Sequence, residues 1–367
     1  MSSQVSRFSQ WSMLLGNLFE HYDAALFTLL SPFLAPIFFP GDDPVIALIR
    51  TYCIIPLGML ARPIGSLFFG YIGDTYGRKE ALVLALMGMA VVTGCMGFLP
   101  TYQQAGFLAP VLLSLGRIFQ NFFAAGETMG GAIYLIENAP ESGKDLTSSF
   151  YNASTVAGIL IASIGVSVLC ATGMVKECWR VLYFLGCSTA IFAVMLRMKM
   201  SLHRVPAKLE PSSIPFVLST CWKNRHALIA IAVASGFSYA SYTIALVMMN
   251  GFIPLITSIT TEEMMHLNTV LLGFDFLLLP LFGFLAQRFS REKMMMIAGA
   301  LAAISGLPLL SMLQDASIGT VIAIRFCLVI IGVWFTAPFY SWAQKLVPEA
   351  GRYTVLSFAY AIGSQLL

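Results

Sequence analysis

Long apolar runs separated by short polar turns follow one another along the whole chain. Most runs reach the roughly 20 residues that a helix needs to cross a bilayer, and none alternates apolar and polar positions as a half-buried strand does. Chain exposed to lipid must also satisfy its own backbone hydrogen bonds, as a helix does. The pattern therefore predicts an all-α membrane protein with eleven spans. They are residues 11–39, 49–73, 80–99, 106–136, 147–172, 179–200, 227–256, 265–287, 294–313, 318–346 and 353–367.

Composition indicates the same class of protein. Of the 367 residues, 58% are hydrophobic and 11% are charged, whereas about 25% of the residues of a soluble domain are charged. Such a chain cannot cover itself with polar surface, so we expect a lipid bilayer around it. The seven cysteines are scattered without metal-ligand spacing, and no nucleotide-binding loop or hydrolase triad is present. We expect no metal, no cofactor, no nucleic-acid partner and no enzymatic activity.

Positive charges lie mostly on one side of the predicted spans. If the N-terminus is cytoplasmic, about fifteen Lys and Arg residues fall in cytoplasmic segments, Arg197 and Lys199 among them, and only Arg50 and Lys176 fall outside. Loops rich in Lys and Arg stay in the cytoplasm. The chain is therefore predicted to be a multi-pass protein of the plasma (inner) membrane with its N-terminus in the cytoplasm.

The longest polar segment divides the chain into two unequal groups of spans. It covers residues 201–226 and separates six spans from five. The predicted domains are an N-terminal six-helix bundle (1–200), a cytoplasmic central loop (201–226) and an incomplete C-terminal bundle of five helices (227–367). Two helix bundles joined by a cytoplasmic loop are typical of secondary transporters.

The two groups of spans also contain a repeat, at the turn after the second span of each. Residues 283–293 (GFLAQRFSREK) align with residues 70–80 (GYIGDTYGRKE) at an offset of 283 − 70 = 213, which places Arg78 on Arg291. The second copy has Gln287 in place of the acid of the first. Repeated halves about an axis along the membrane normal are a known transporter architecture.

Four motifs along the chain resemble segments of one transporter family. Residues 70–79 resemble the loop between the second and third helices of the major facilitator superfamily. Residues 16–23 (GNLFEHYD) are similar to a first-span signature of its metabolite–proton symporters, the group of the proline/betaine and α-ketoglutarate permeases, with His21 in place of a tryptophan. Residues 116–131 (GRIFQNFFAAGETMGG) and 346–354 (LVPEAGRYT) resemble later segments of the same group.

This resemblance implies the major facilitator fold, with two pseudo-symmetric bundles and twelve spans. The chain ends within the eleventh predicted span, so the twelfth is expected to be missing. The proposed proton site would lie in the intact N-terminal bundle, whereas the solute cavity would be shared by both bundles. We expect the protein to work as a monomer.

Eight ionisable residues are predicted within the spans, where a charge is costly unless it faces a cavity or a partner. Glu20 and Asp23 are three residues apart, on roughly one helix face. Because protonation removes the charge of a carboxylate, acids that open alternately to each side can carry protons together with a solute. We predict that this pair couples protons to solute, and the resemblance favours the same two residues. The eight are Glu20, His21, Asp23, Arg62, Arg117, Glu127, Asp275 and Arg325.

The remaining intramembrane residues each have two interpretations. Histidine is the side chain best suited to exchange protons at physiological pH, so His21 could share the proton work, or it could simply fill an aromatic position while bonded to a neighbour. Arg117 and Arg325 match the geometry of a solute carboxylate. Alternatively, Arg117 forms a structural ion pair with Glu20 or Asp23.

Glu127 and Asp275 are predicted as further anchors, either for the solute or for an ion pair. Asp275 falls on Arg62 under the offset of 213 that relates the two halves. For both residues, structural pairing inside one bundle is the alternative to a functional role.

The turn after the second span is predicted to hold the two halves together. The resemblance implies that Asp74 caps the cytoplasmic start of the eleventh span, near residues 352–354, where free N–H groups carry partial positive charge. Arg78 would then reach an acid at the end of the fourth span, and Glu137 is the nearest in sequence. Release of this latch would open the cytoplasmic side. The predicted latch comprises Gly70, Gly73, Asp74, Gly77, Arg78, Lys79 and Glu137.

Together these patterns predict a proton-coupled symporter. Its solute is expected to be a small zwitterion such as proline or betaine, or a carboxylate such as α-ketoglutarate, because intramembrane acids favour ion coupling. Since fold does not set direction, an exporter of the same fold is an alternative. A degenerate, non-transporting membrane protein or sensor is another.

Overall fold

The computed structural model describes residues 7–41, 43–199, 214–314, 316–349 and 351–366. Within these residues the regular structure is entirely helical. A 3₁₀ turn (Glu141–Gly143) precedes α7, and a π-helical segment (Thr243–Met248) joins α10 to α11. The α-helices are α1 (Arg7–Phe38), α2 (Pro44–Met59), α3 (Ala61–Thr75), α4 (Arg78–Gly97), α5 (Tyr102–Ala105), α6 (Leu108–Glu137), α7 (Lys144–Ala171), α8 (Val175–Met198), α9 (Ile214–Lys223), α10 (Arg225–Tyr242), α11 (Met249–Ile256), α12 (Thr261–Arg288), α13 (Arg291–Ser311), α14 (Ile318–Thr336), α15 (Phe339–Lys345) and α16 (Arg352–Leu366).

Each of the eleven predicted spans corresponds to a helix or to consecutive helices. In the described part of the chain, nine helical stretches are long and apolar enough to cross a membrane. The helices α1 and α16 correspond to the first and eleventh predicted spans. Part of the predicted central loop is helical, because residues 214–223 form α9. Residues 201–213, the first half of the predicted loop, lie outside the described residues. The domain boundaries stay a prediction.

Prolines explain why some spans are split. The second span breaks at Leu60, between α2 and α3. Pro63 has no N–H to donate to the carbonyl of Met59, and its ring clashes with the preceding turn. The tenth span breaks in the same way, since Pro338 follows the end of α14 and precedes α15.

The apolar cores are shared at one end of the molecule and separate at the other. We name the end that carries the α3–α4 turn the turn end and the opposite end the far end. At the turn end a single core joins both halves and includes Phe69, Ile133, Phe339 and Tyr353. At the far end one core lies among the helices before α9 and another lies among those after α10. A further core joins Ala153 and Val156 of α7 to Leu271 and Leu279 of α12. The two halves are therefore packed together at the turn end and also between α7 and α12.

Candidate functional site

The α3–α4 turn contacts the start of α16 through Asp74. Its Oδ2 atom accepts hydrogen bonds from the backbone N–H of Thr354, at 3.0 Å, and from the hydroxyl of Thr354, at 2.7 Å. Thr354 lies in the first turn of α16, where backbone N–H groups have no helical partner and the helix dipole favours a negative charge. The carboxylate of one half thus caps a helix of the other, which is the contact that the family resemblance implies.

Glu137, the last residue of α6, holds two arginines beside this cap. Arg78 forms an ion pair with Glu137 Oε2, and Arg352 Nη1 donates to Glu137 Oε1 at 2.8 Å. Arg78 belongs to the turn and Arg352 to α16, so one carboxylate ties the two halves together. Lys79 points elsewhere, with its Nζ donating to the carbonyl of Met198 at 3.0 Å.

Glycines allow this close approach of α3 to α16. A Cβ atom on Gly73 would overlap the ring of Tyr353, and one on Gly70 would lie 2.7 Å from the Cα of Thr354. Gly77 has a φ of 125°, a conformation that other residues rarely adopt. A larger residue would therefore be unfavourable at each of the three glycines of the predicted latch: it would clash with α16 at Gly70 and Gly73, and it would strain the backbone at Gly77.

The repeated turn in the second half makes a related contact, in which the turn supplies the arginine and the first half of the molecule supplies the acid. Arg291 Nε lies 3.2 Å from Asp145 Oδ1, at the start of α7 in the first half. Asp145 also accepts a hydrogen bond from the hydroxyl of Ser341 in α15. The acid that is missing from the second copy, where Gln287 stands, is thus supplied by Asp145. A Cβ atom on Gly283 would overlap Ser149 of α7, as one on Gly70 would crowd Thr354.

Glu20 lies fully buried in α1, midway between the two ends. The hydroxyl of Thr128 in α6 lies 2.8 Å from Glu20 Oε1. Arg62 Nη2 lies 3.6 Å from the same oxygen, and Arg62 Nε donates to Asn121 Oδ1 at 2.9 Å. Glu20 is thus one turn of α1 away from Asp23 and faces a guanidinium that the sequence had not assigned to it.

Asp23 lies on the same face of α1 and is 4% exposed. Its Oδ2 atom accepts from the Thr93 hydroxyl at 2.5 Å and from Gln120 Nε2 at 2.6 Å. Its Oδ1 atom is buried and has no hydrogen-bond partner among the described residues. One oxygen is therefore held in place while the other is available to a proton or a solute.

Arg117 is linked to this carboxylate indirectly. Its Nη1 atom donates to Gln120 Oε1 at 2.8 Å, and Gln120 in turn donates to Asp23. Its guanidinium also stacks over the ring of Phe27, 4.5 Å from the centroid. In the described part of the chain, the direct ion pair with Glu20 or Asp23 that the sequence left open is not formed. A glutamine stands between the two charges.

Glu127 forms an ion pair with Arg197, which the sequence analysis counted among the cytoplasmic charges. Arg197 Nη1 and Nη2 lie 2.5 and 2.6 Å from the two oxygens of Glu127, and both side chains are fully buried. Arg197 lies in the last turn of α8, and its side chain is buried in the bundle and not exposed as a loop charge would be. Glu127 is therefore a structural ion-pair partner in this conformation. The need of a buried acid for a partner was the available signal.

His21 bonds to its own helix. Its Nδ1 atom lies 2.9 Å from the carbonyl of Asn17, and because a carbonyl only accepts, Nδ1 carries the hydrogen. The same atom lies 3.7 Å from Glu20 Oε2. This geometry agrees with the simpler of the two interpretations, a space-filling residue bonded to a neighbour, and its share in proton transfer stays a prediction.

Arg325 is fully buried in α14 and interacts with neutral groups. Its Nε atom donates to the carbonyl of Ala245 at 3.1 Å, and its Nη2 atom donates to Asn268 Oδ1 at 2.7 Å. Ala245 lies in the π-helical segment between α10 and α11, where the usual helical hydrogen-bond pattern is interrupted. Arg325 therefore secures the irregular part of the seventh span.

Arg62 lies between two small cavities at the middle of the molecule. One contains Glu20, Asp23, Arg117 and Gln120. The other lies against α16 and is lined by Thr128, Met129, Ser357, Tyr360 and Ser364 as well as by Arg62. Because the second cavity has walls from both halves, Arg62 is positioned to meet a solute that both halves hold. The sequence analysis named Arg62 as an ionisable residue within a span and through its repeat position, without assigning it to a site.

An all-helical multi-pass membrane protein with two joined halves, buried charges at its centre and closure at one end has the architecture of a secondary transporter. The chain belongs to the Major Facilitator Superfamily, whose family model matches residues 14–364. Members of this superfamily are transporters and not enzymes.

Curated relatives with this architecture transport small solutes. The chain is 26% identical over 370 residues to the glycine betaine/proline/ectoine/pipecolic acid transporter OusA of Dickeya dadantii (strain 3937), covering 95% of this chain and 73% of OusA. It is 30% identical over 367 residues to the α-ketoglutarate permease of Escherichia coli (strain K12), covering 96% of this chain and 82% of the permease.

Solved structures share the fold. The proton:xylose symporter XylE bound to 6-bromo-6-deoxy-D-glucose matches with a TM-score of 0.76 at 16% identity, covering 100% of this chain and 87% of XylE. The transporter FucP in its outward conformation matches with a TM-score of 0.70 at 16% identity, covering 98% and 90% of the two chains. At this identity the likeness concerns the fold.

Proposed function

We propose that this protein is a proton-coupled symporter of a small organic solute that works by alternating access. The single observation that carries the proposal is the pair of buried acids in α1, each beside a basic group. Glu20 faces Arg62, and Asp23 is joined to Arg117 through Gln120. When the neighbouring guanidinium turns to a solute carboxylate, the carboxylate of the protein loses its positive partner and takes up a proton. Proton and solute are then bound together.

The curated relatives support the chemical class of the solute. OusA is a transporter of betaine and proline, and the permease is a transporter of α-ketoglutarate. All three solutes have a carboxylate, and Arg62 borders the cavity shared by the two halves. We propose that the solute carries a carboxylate and that the turn end faces the cytoplasm, so that this conformation is closed on the cytoplasmic side.

Uptake into proteoliposomes tests this function. Radiolabelled betaine, proline and α-ketoglutarate are each added outside, with the interior more alkaline than the exterior. We expect one of them to accumulate above its external concentration, and the accumulation to disappear when the gradient is removed. Accumulation only under the reversed gradient would indicate an exporter. Binding without transport under either gradient would contradict the proposal and favour a sensor.

We further propose that Asp74, Arg78 and Glu137 act as the latch of the turn end, with Gly70, Gly73 and Gly77 allowing the contact. Asp74 accepts two hydrogen bonds from Thr354, and each hydrogen bond to a charged group contributes about 1.5–3 kcal/mol. Replacement of Asp74 by alanine is therefore expected to open the turn end at least about tenfold more often, a factor that corresponds to about 1.4 kcal/mol. Lys79 bonds within the first half and should matter less.

The native Cys221 reports this opening. It is 7% exposed and belongs to the core that joins the halves at the turn end. In a variant that keeps Cys221 and replaces the other cysteines by alanine, Asp74→Ala should raise the rate of maleimide labelling at least about tenfold. Asp43→Ala, which removes an exposed helix cap at the far end, is the matched control. Equal labelling rates in the two variants would rule out the latch.

A further inference from the structure

The cavity that Arg62 shares with the second half is closed on that side by a single helix, α16. The lining residues from this helix are Ser357, Tyr360, Ala361 and Ser364. The two anchors that the sequence predicts in the second half, Asp275 and Arg325, are buried in α12 and α14 and are not among the lining residues. A solute that binds Arg62 in this cavity therefore meets the second half through α16.

Ser357 brings a hydroxyl without a partner to this cavity. The residue is 2% exposed, and within the described part of the chain its Oγ atom has no hydrogen-bond partner. A serine in a helix can donate to a carbonyl one turn earlier, as Ser364 does to the carbonyl of Tyr360 at 2.7 Å. Ser357 does not make this bond, although a buried hydroxyl that lacks a partner destabilises the folded protein. Its hydroxyl is therefore available to a group that enters the cavity.

One face of α16 connects this cavity to the turn end. Thr354, Ser357 and Ser364 are separated by three and then seven residues, a spacing that places them along one side of a helix. At the turn end, Thr354 donates two hydrogen bonds to Asp74 of α3. At the middle of the molecule, the same face borders Arg62, which also belongs to α3. Separation of α16 from α3 would therefore break the cap and open the cavity together.

Arg62 and Ser357 offer hydrogen-bond donors to the same cavity from opposite halves. The guanidinium of Arg62 has five N–H groups, and a serine hydroxyl has one O–H group. An ionised carboxylate has two oxygens and only accepts hydrogen bonds. A carboxylate between the two residues can therefore accept from the first half through one oxygen and from the second half through the other.

We propose that Ser357 is a solute-binding residue, whose hydroxyl donates to the carboxylate held by Arg62, so that the bound solute bridges α3 and α16. This assignment rests on the proposed transport function and adds the residue through which the second half holds the solute. A solute in this position binds the closed turn end more tightly than the open one. It therefore favours closure by the ratio of the two affinities.

Calorimetric binding of glycine betaine, proline and α-ketoglutarate to the purified protein tests this role without any proton gradient. For the solute that the wild-type protein binds, Ser357→Ala should weaken the affinity at least about tenfold, as the loss of one hydrogen bond to a charged group does. Ser357→Thr keeps the hydroxyl and should retain the affinity. Ser364→Ala is the matched control and should also retain it, because Ser364 lines the same cavity but bonds to its own helix.

Two further readouts separate binding from a structural role of Ser357. Without solute, Ser357→Ala should unfold at a temperature no lower than the wild-type protein, because alanine removes a buried hydroxyl that has no partner. In the variant whose only cysteine is Cys221, saturating solute should slow maleimide labelling, since Cys221 belongs to the core that joins the halves at the turn end. In Ser357→Ala this protection by solute should be about tenfold smaller, with the labelling rate without solute unchanged.

Unchanged solute affinity in Ser357→Ala would overturn this assignment. So would a loss of affinity that Ser364→Ala shares or that a lower unfolding temperature accompanies, because either result would show that the change loosens α16. Binding of none of the three solutes by the wild-type protein would contradict both this residue's role and the proposed solute carboxylate. Failure of proton coupling looks different: binding and its dependence on Ser357 persist, but no proton gradient drives uptake.

Discussion

Asp23→Asn is expected to reduce proton-driven accumulation of solute to the level of protein-free liposomes. Asparagine keeps the size of the side chain and can still accept the hydrogen bonds from Thr93 and Gln120, but it cannot take up or release a proton. The variant should resemble a carrier that is permanently protonated. Exchange of labelled for unlabelled solute across the membrane, which needs no net proton movement, should therefore continue.

The comparison of accumulation and exchange separates coupling from binding. Asp43→Asn is the matched control, because it changes an exposed aspartate at the start of α2 to a residue that caps helices equally well. It should leave both activities unchanged. If Asp23→Asn still accumulates solute against its gradient, Asp23 is not the coupling residue. If it also loses exchange, the residue acts in solute binding and not in coupling alone.

Glu127→Gln is expected to destabilise the protein by about 3–5 kcal/mol, as is typical when one partner of a buried ion pair is removed. Arg197 would be left with a fully buried and uncompensated charge, because its remaining acceptors, the glutamine amide oxygen and the carbonyl of Ser12 at 3.4 Å, are both neutral. The loss should appear as a lower midpoint of thermal unfolding in detergent and as a smaller yield of monodisperse protein.

The double variant Glu127→Met and Arg197→Met tests the cause of this effect. Replacement of both charges by apolar groups of similar size is often close to neutral, so the double variant should be more stable than Glu127→Gln. Lys345→Met, which breaks an exposed ion pair with Glu292, controls for removal of a charge in general. A double variant less stable than the single one would show that the charges themselves hold the bundle together.

The apolar pattern was sufficient to predict the helices, because a lipid-exposed chain has few alternatives. The first span, α1, was predicted from its apolar run in spite of the acids it contains. The two repeated turns were recognised by their glycines and charges. It did not predict the break at Leu60, since proline within an apolar run is common in membrane helices and its consequence depends on neighbouring helices.

The site was predicted unevenly, for physical reasons. Glu20 and Asp23 were found because an acid within a membrane span is rare. Asp74 was found through the resemblance of its turn, and Glu137 as the nearest acid that Arg78 could reach. Partners that are neutral, such as Gln120, carry little signal in a sequence. A partner that is distant in sequence is also hard to predict when the sequence does not show whether its side chain points into the bundle.

Arg197 and Asp145 illustrate this second difficulty. Arg197 lies in the last turn of its helix, where a count of loop charges includes it although its side chain points inward. Asp145 supplies the acid for the repeated turn from the other half of the molecule, so the alignment of the two turns could not contain it. Both contacts depend on how distant helices pack.

Proton movement accompanying solute entry tests the central claim most directly. Proteoliposomes containing a trapped pH-sensitive dye are prepared with equal pH on both sides, and glycine betaine, proline or α-ketoglutarate is added outside. The account predicts acidification of the interior with the transported solute, at a rate that follows solute uptake and is absent in Asp23→Asn. Solute uptake by the wild-type protein with no change in internal pH would contradict it.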